Sequence, residues 1–256
     1  GLEKTAAVVG IAEKGYVTVK LNIQQKGGHS SMPEKQTAID QLAAAINKLK
    51  EHPFEADFGT VIHSFMDYVG PELPFVSKMA MANRWLFKPL IINTYSQSPA
   101  GDATIRTTTA FTMFNAGVKE NLVPEKASAV VNFRTQPGVS PEDVVAHVTS
   151  AIENEHIQVE LQANSNNPKT VAEVKDASFG YLQKSISSFK KDIVVAPYLM
   201  LGASDGRYFT ILTPQVFRFI PFTDIEGLHG VNERIKEDEF KKGVSFYYYF
   251  LKNYNF

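Results

Sequence analysis

Four stretches of the chain set side chains capable of chemistry at the ends of elements. Gly27-Gly28-His29-Ser30-Ser31 puts a His at the end of a strand, just before a helix start. Asn121 follows a turn at Gly117, and Arg134 lies on the outward face of a strand with Ser128 and Asn132. Gly202-Ala203-Ser204-Asp205-Gly206-Arg207 is a strand-to-helix turn. Leu228-His229-Gly230-Val231-Asn232-Glu233-Arg234 is the densest polar cluster, between a strand and the last helix. A His so placed can move a proton or hold a metal. An Arg on an open strand face can grip a carboxylate with two parallel bonds. The amides of a 202–206 turn could hold an anion, and the glycines let a ligand come close. Each stretch also has a plain structural reading: a Gly-Gly turn with Ser caps, a solvated strand face, a helix start capped by Ser204, a surface loop with a capping Asn or Glu.

The other histidines, His52, His63, His147 and His156, have no supporting constellation. There is no G-x-S-x-G elbow, and 202–206 lacks the spaced glycines and Lys of a phosphate loop.

The elements that must position these residues follow from periodicity. Tyr16–Gln24 alternates, with Val17, Val19, Leu21 and Ile23 on one side, as a half-buried strand does. Ser31, Pro33 and Glu34 read as the start of a helix running to about Lys50, with Ile39, Leu42, Ala43, Ile46 and Leu49 inward. Residues 52–104 are Pro-interrupted and rich in Phe and Met. They read as an insertion with short helices near Glu55–Met66 and Val76–Thr94.

Strands follow at Ile105–Phe114 and Ala127–Thr135, the second with Ala127, Ala129, Val131 and Phe133 inward. Ser140-Pro141 starts a helix with Val144, Val148 and Ile152 as its stripe, and Ile157–Leu161 is a last strand. Residues 16–163 therefore read β-α-(insertion)-β-β-α-β, the ferredoxin-like split βαβ order. Asn164 to Pro168 reads as a linker. Beyond it come an Asp176-capped helix, a short apolar strand at Ile193–Leu199, a strand at Gln215–Pro221 and a final helix near Lys236–Tyr254. That helix has Phe240, Val244, Tyr248 and Leu251 on one face. This is α/β order, with too few strands for a complete doubly wound sheet.

Composition bounds the function. In 256 residues, hydrophobic types make up 44% and charged types 21%, enough for a real core. The net charge of −1 offers no footprint for nucleic acid. The absence of cysteine excludes disulfides, zinc–thiolate clusters and thiol nucleophiles. No apolar run reaches the ~18–20 residues of a membrane span. The opening Gly1-Leu2-Glu3-Lys4 is no signal peptide and reads as a cut inside a longer protein, leaving the compartment open.

Taken in order, GGHSSMP, GVKENLVP with VNFRTQPG, GASDGR and HGVNERI resemble the co-catalytic zinc aminoacylase and carboxypeptidase family, peptidase family M-twenty type. WLFKPLI and IRTTTAFTMFNAGVKENLVP resemble its N-fatty-acyl-amino-acid hydrolase and Gly-Xaa carboxypeptidase branch. The resemblance implies an α/β catalytic domain, into which a ferredoxin-like lid that mediates dimerisation is inserted. Residues 1–10 would end the first part of the catalytic domain, 11–163 would form the lid, and 164–256 would complete the catalytic domain. His229 is similar to a metal ligand. His29 resembles the lid His that reaches a partner subunit's site and holds the scissile carbonyl oxygen. Asn121 and Arg134 resemble residues that bind the substrate carboxylate. Gly202 to Asp205 resembles a G-G-T-D loop beside the site, with Ala203 and Ser204 in place of Gly and Thr. Asp205, Asn232 and Glu233 would support.

The implied activity is hydrolysis of an amide bond beside a free carboxylate, in a peptide or N-acyl amino acid. It would use two divalent ions, zinc by resemblance, and the partner implied is a second copy of the chain. The family's other metal ligands and its Glu base cannot be placed in this sequence. The chain alone is therefore expected to bind metal weakly or not at all and to be inactive. The alternative is a non-catalytic dimerisation or binding module derived from this family.

Overall fold

Two hydrophobic clusters organise the molecule, one built on an antiparallel sheet and one on a parallel strand pair. The computed structural model describes residues 2–166, 170–223, 225–227 and 230–254. The chain enters on β1 (Thr5–Glu13), turns at Lys14 into β2 (Gly15–Gln24), and makes the two-residue β3 (Gly28–His29) before α1 (Ala38–Glu51). Four helices follow: α2 (Thr60–Val69), α3 (Phe75–Ala82), α4 (Arg84–Ser96) and α5 (Pro99–Ile105). Then come β4 (Thr108–Ala116), the short β5 (Leu122–Val123), β6 (Lys126–Thr135), α6 (Pro141–Ile152) and β7 (Ile157–Leu161). The last part holds α7 (Ala177–Phe189), β8 (Ile193–Met200), α8 (Gly206–Phe209) and α9 (Glu237–Lys252).

The four-stranded sheet has the order β4-β6-β2-β7 with every neighbour antiparallel. Strict alternation on β2 and β6 gives it one dry face. Val17, Val19, Leu21, Ile23, Ala127, Ala129, Val131 and Phe133 are all buried there with Leu42, Leu49, Val144 and Val148 of α1 and α6. The helix after β3 starts later than the Ser31 signal suggested. Its N-cap is Thr37, which closes a capping box with Asp40, while Ser31 is held by His29 instead. The inward face moves accordingly: Ala38, Leu42, Ala45 and Leu49 are buried and Ile39 is exposed. α6 begins where the sequence indicates, with Ser140 as cap and Asp143 completing the box.

β1 and β8 run parallel, and Gly10 on β1 exchanges backbone hydrogen bonds with Arg218 at 2.8 and 2.9 Å. Around this pair lie Val9, Ile11, Phe179, Leu182, Ile186, Val195 and Leu199. The helical stretch packs here: Phe58, Val61, Ile62, Met66, Ile91 and Ile105 belong to this cluster and not to the sheet's. Gln215–Pro221 pairs only through the Gly10–Arg218 bridge and forms no regular strand.

α9 presents a different face from the expected stripe. Phe240, Val244, Tyr248 and Leu251 are exposed, whereas Gly243 and Phe246 are buried. The helix carries aromatics on two faces, and the glycine decides between them. A Cβ on Gly243 would sit 1.8 Å from the Phe222 ring, so only glycine allows that close contact.

Candidate functional site

The junction between the two clusters is Glu13-Lys14, two charged residues that are each only 1% exposed. Burying charges is costly unless they are paired or hydrogen-bonded; Glu13 has an ion-pair partner and Lys14 has hydrogen bonds alone. Glu13 Oε2 accepts from the Ser204 hydroxyl (2.7 Å), the Ser204 amide (3.1 Å) and Arg218 Nε (2.9 Å). Lys14 Nζ donates to the carbonyls of Ala103 and Arg106 at the end of α5, both at 2.7 Å. Burial pushes the Lys14 ammonium down to about 8; Asp102 opposes that shift and Arg134 adds to it. Glu13 thus ties β1 to the 202–206 turn and Lys14 ties it to the helical stretch. Sequence reading missed both residues and Arg218. Nothing in the local sequence marks them, because their partners lie 89 to 205 residues away.

Ser204 is therefore engaged inside the protein. Its oxygen also accepts from the Gly206 amide at 3.2 Å. Gly202 is exposed, with open space where a Cβ would stand. Asp205 precedes α8, and its carbonyl accepts from the Tyr208 amide at 3.0 Å.

Arg134, on the open face of β6, meets this turn across a cleft of about 970 Å³. The walls include Tyr16 and Arg134 from the sheet unit and Ala203, Arg207 and Tyr208 from beyond β8. The Arg134 guanidinium stands 4.8 Å from the Tyr16 ring centroid, and Arg207 stands at the same distance from the ring of Tyr208. Such stacking orients a guanidinium and leaves its charge intact. Arg207 was read only as the end of the 202–207 turn, with no role of its own, and Tyr208 not at all, since nothing in the local pattern distinguishes them from an ordinary helix start.

His29 and Asn121 lie together elsewhere. β3 pairs with β5, His29 opposite Leu122, and the Ser30 amide donates to the Asn121 carbonyl at 3.2 Å. Both side chains are on exposed residues. The Ser31 amide donates to His29 Nδ1 at 3.1 Å, and the Ser31 hydroxyl lies 2.8 Å from the same atom. An amide can only donate, so Nδ1 accepts and the neutral ring carries its proton on Nε2. His29 is thereby set to donate a hydrogen bond outward. Gln24 pairs with Lys126 and Tyr16 with Arg134, so this ribbon and Arg134 sit at opposite ends of the sheet. The eight residue steps along β6 span about 26 Å. Asn121 and Arg134, paired in the sequence reading, do not meet within one chain.

His229 lies outside the described residues. Glu226 and Arg234, on either side of it in the sequence, exchange backbone bonds at 3.0 Å and form an ion pair. Asn232, exposed, takes a left-handed conformation (φ 63°), and Glu233 beside it is exposed. Among the described residues no three His, Asp or Glu side chains converge, so they do not make a metal site by themselves.

Residues 11–160 match the model of the peptidase dimerisation domain. The chain belongs to that family. A relative within reach of this peptidase dimerisation family member is "Probable carboxypeptidase S-like 2" of Dictyostelium discoideum, 40% identical over 99% of this chain and 49% of the relative. Another is "N-fatty-acyl-amino acid synthase/hydrolase PM20D1" of Xenopus tropicalis, 36% identical over 99% of this chain and 50% of the relative. The family member spans about half the length of the curated relatives it matches. Among solved structures, an M20 family metallo-carboxypeptidase from Sulfolobus solfataricus superposes with a TM-score of 0.65 at 18% identity. That superposition covers 96% of this chain and 60% of the other, and it shows a shared mixed α/β fold.

Proposed function

We propose that the chain forms part of a hydrolase that cleaves an amide bond beside a free carboxylate, in a peptide or an N-acyl amino acid. The observation that carries this reading is the cleft that Arg134 shares with Ala203 and Arg207 from beyond β8. A guanidinium held over Tyr16 by stacking, with its N–H edge free, suits a carboxylate. The names of the relatives, a carboxypeptidase and an acyl-amino-acid hydrolase, agree with a substrate of that kind.

His29 supplies a neutral Nε2–H donor of the sort that stabilises a developing oxyanion. Its distance from Arg134 argues that the two serve one substrate only when they come from different protomers, with Asn121 arriving beside His29. The route to such a pair is the sheet edge. β4 is an edge strand with Phe111, Met113 and Phe114 exposed, and an exposed apolar edge invites a second copy.

No step is assigned to a metal. Two metal ions would need further ligands from outside the described residues, His229 among the candidates, and the chain alone is read as inactive. The test uses the full-length protein and two substrates that differ only at the carboxylate, an N-acyl amino acid and its amide. Arg134→Met is expected to lower kcat/KM for the acid by about a hundredfold, the scale of one charge-assisted bidentate pair, and to change the amide little. An equal effect on both would overturn the role of Arg134.

A further inference from the structure

The sequence has six arginines. Four of them pair with carboxylates: Arg84 with Asp67, Arg106 with Asp102, Arg218 with Glu13 and Arg234 with Glu226. The remaining two, Arg134 and Arg207, form no close ion pair among the described residues, although Glu13 and Asp205 attract Arg207 from farther away, and both line the same cleft. Among the described residues no Asp or Glu lines it. Arg134 has none of its N–H donors engaged by described residues, and Arg207 uses one, to the Tyr208 hydroxyl at 2.9 Å. The positive charge is felt nearby: after burial, Arg134 is the contributor that depresses Lys14. The two guanidiniums come from opposite walls, one from the sheet unit and one from beyond β8, so a ligand meeting both would span the junction.

We propose that this cleft is a two-anion site, in which Arg134 and Arg207 each receive one carboxylate of a single dicarboxylate: an N-acyl or peptidyl derivative of Asp or Glu. The inference rests on the reading of Arg134 given above and adds to it the class of amino acid released. One carboxylate would satisfy Arg134 and leave Arg207 without a close ion-pair partner in the cleft. A second carboxylate, on a side chain of two or three carbons, neutralises it.

The experiment titrates this chain with N-acetyl-glutamate and with its uncharged isostere N-acetyl-glutamine, followed by amide chemical shifts. The acid is expected to bind more tightly by about fivefold or more, the size of one added charge-assisted contact in a half-open site. Arg207→Met should abolish that preference, and Arg207→Lys, which keeps the charge, should retain most of it. Equal affinity for the two ligands, no saturable binding of N-acetyl-glutamate, or a preference that survives Arg207→Met would each overturn the proposal. Arg134→Met reports on the underlying reading separately. Weakening of both ligands supports carboxylate capture at Arg134. If neither ligand is weakened, that capture fails, while a preference still lost in Arg207→Met keeps the second anion contact at Arg207.

Discussion

Glu13 and Lys14 place opposite charges back to back in a dry junction, and their partners differ in kind. Glu13 neutralises a guanidinium, so its removal strands Arg218, whose side chain is only 10% exposed, and takes the acceptor from the Ser204 hydroxyl. Glu13→Ala should therefore cost about 3–5 kcal/mol in urea unfolding. A loss under about 1 kcal/mol would mean that the junction is solvated after all. Lys14 meets only carbonyl dipoles, and burial holds its ammonium at about 8 against an ordinary 10.5. Between those two values the unfolded chain keeps the proton that the folded chain has released. This group therefore makes stability rise with pH across that window. The unfolding free energy of the native chain, measured relative to Lys14→Met, should increase from pH 8 to pH 10.5. Parallel pH profiles would contradict it. Neither role was legible from one sequence, because burial of a charge depends on partners 89 to 205 residues away. Arg134 was legible, since simple alternation on its strand already turned it outward.

At the scale of elements, alternation and caps were readable wherever a single face is buried. β2, β6 and α6 follow their patterns residue by residue, because α1 and α6 cover one side of the sheet and leave the other open. The pattern misled at the start of α1. Ser31 with Glu34 read as its cap, but the chain caps the helix at Thr37 and closes the box with Asp40. Thr37→Ala should cost about 1 kcal/mol, and Ser31→Ala should stay within ~0.5 kcal/mol. The reverse order in thermal unfolding would move the helix start. α9 has two aromatic faces, and periodicity cannot choose between them. Gly243→Ala forces its new methyl into Phe222 and should cost about 1–3 kcal/mol by overpacking. A neutral effect would show that Phe222 yields easily.

At the scale of the whole molecule, the long helical stretch was the least legible part. Its apolar residues match no single period because they fill a cluster shared with β1, α7 and β8. Its role as a bridge between the sheet unit and the parallel strand pair emerges only from packing. The same scale separates the candidate site into two halves: His29 with Asn121 at one end of the sheet, and Arg134 with the 202–207 turn at the other. The account requires these halves to meet across a dimer. The most direct measurement mixes full-length His29→Ala with full-length Arg134→Ala, each expected to be nearly inactive alone. In a heterodimer one site would draw Arg134 from one protomer and an intact His29 from its partner. With random pairing, half the dimers are mixed and each has one working site, so the mixture should recover about a quarter of native activity. Activity no greater than the sum of the separate variants would contradict the account.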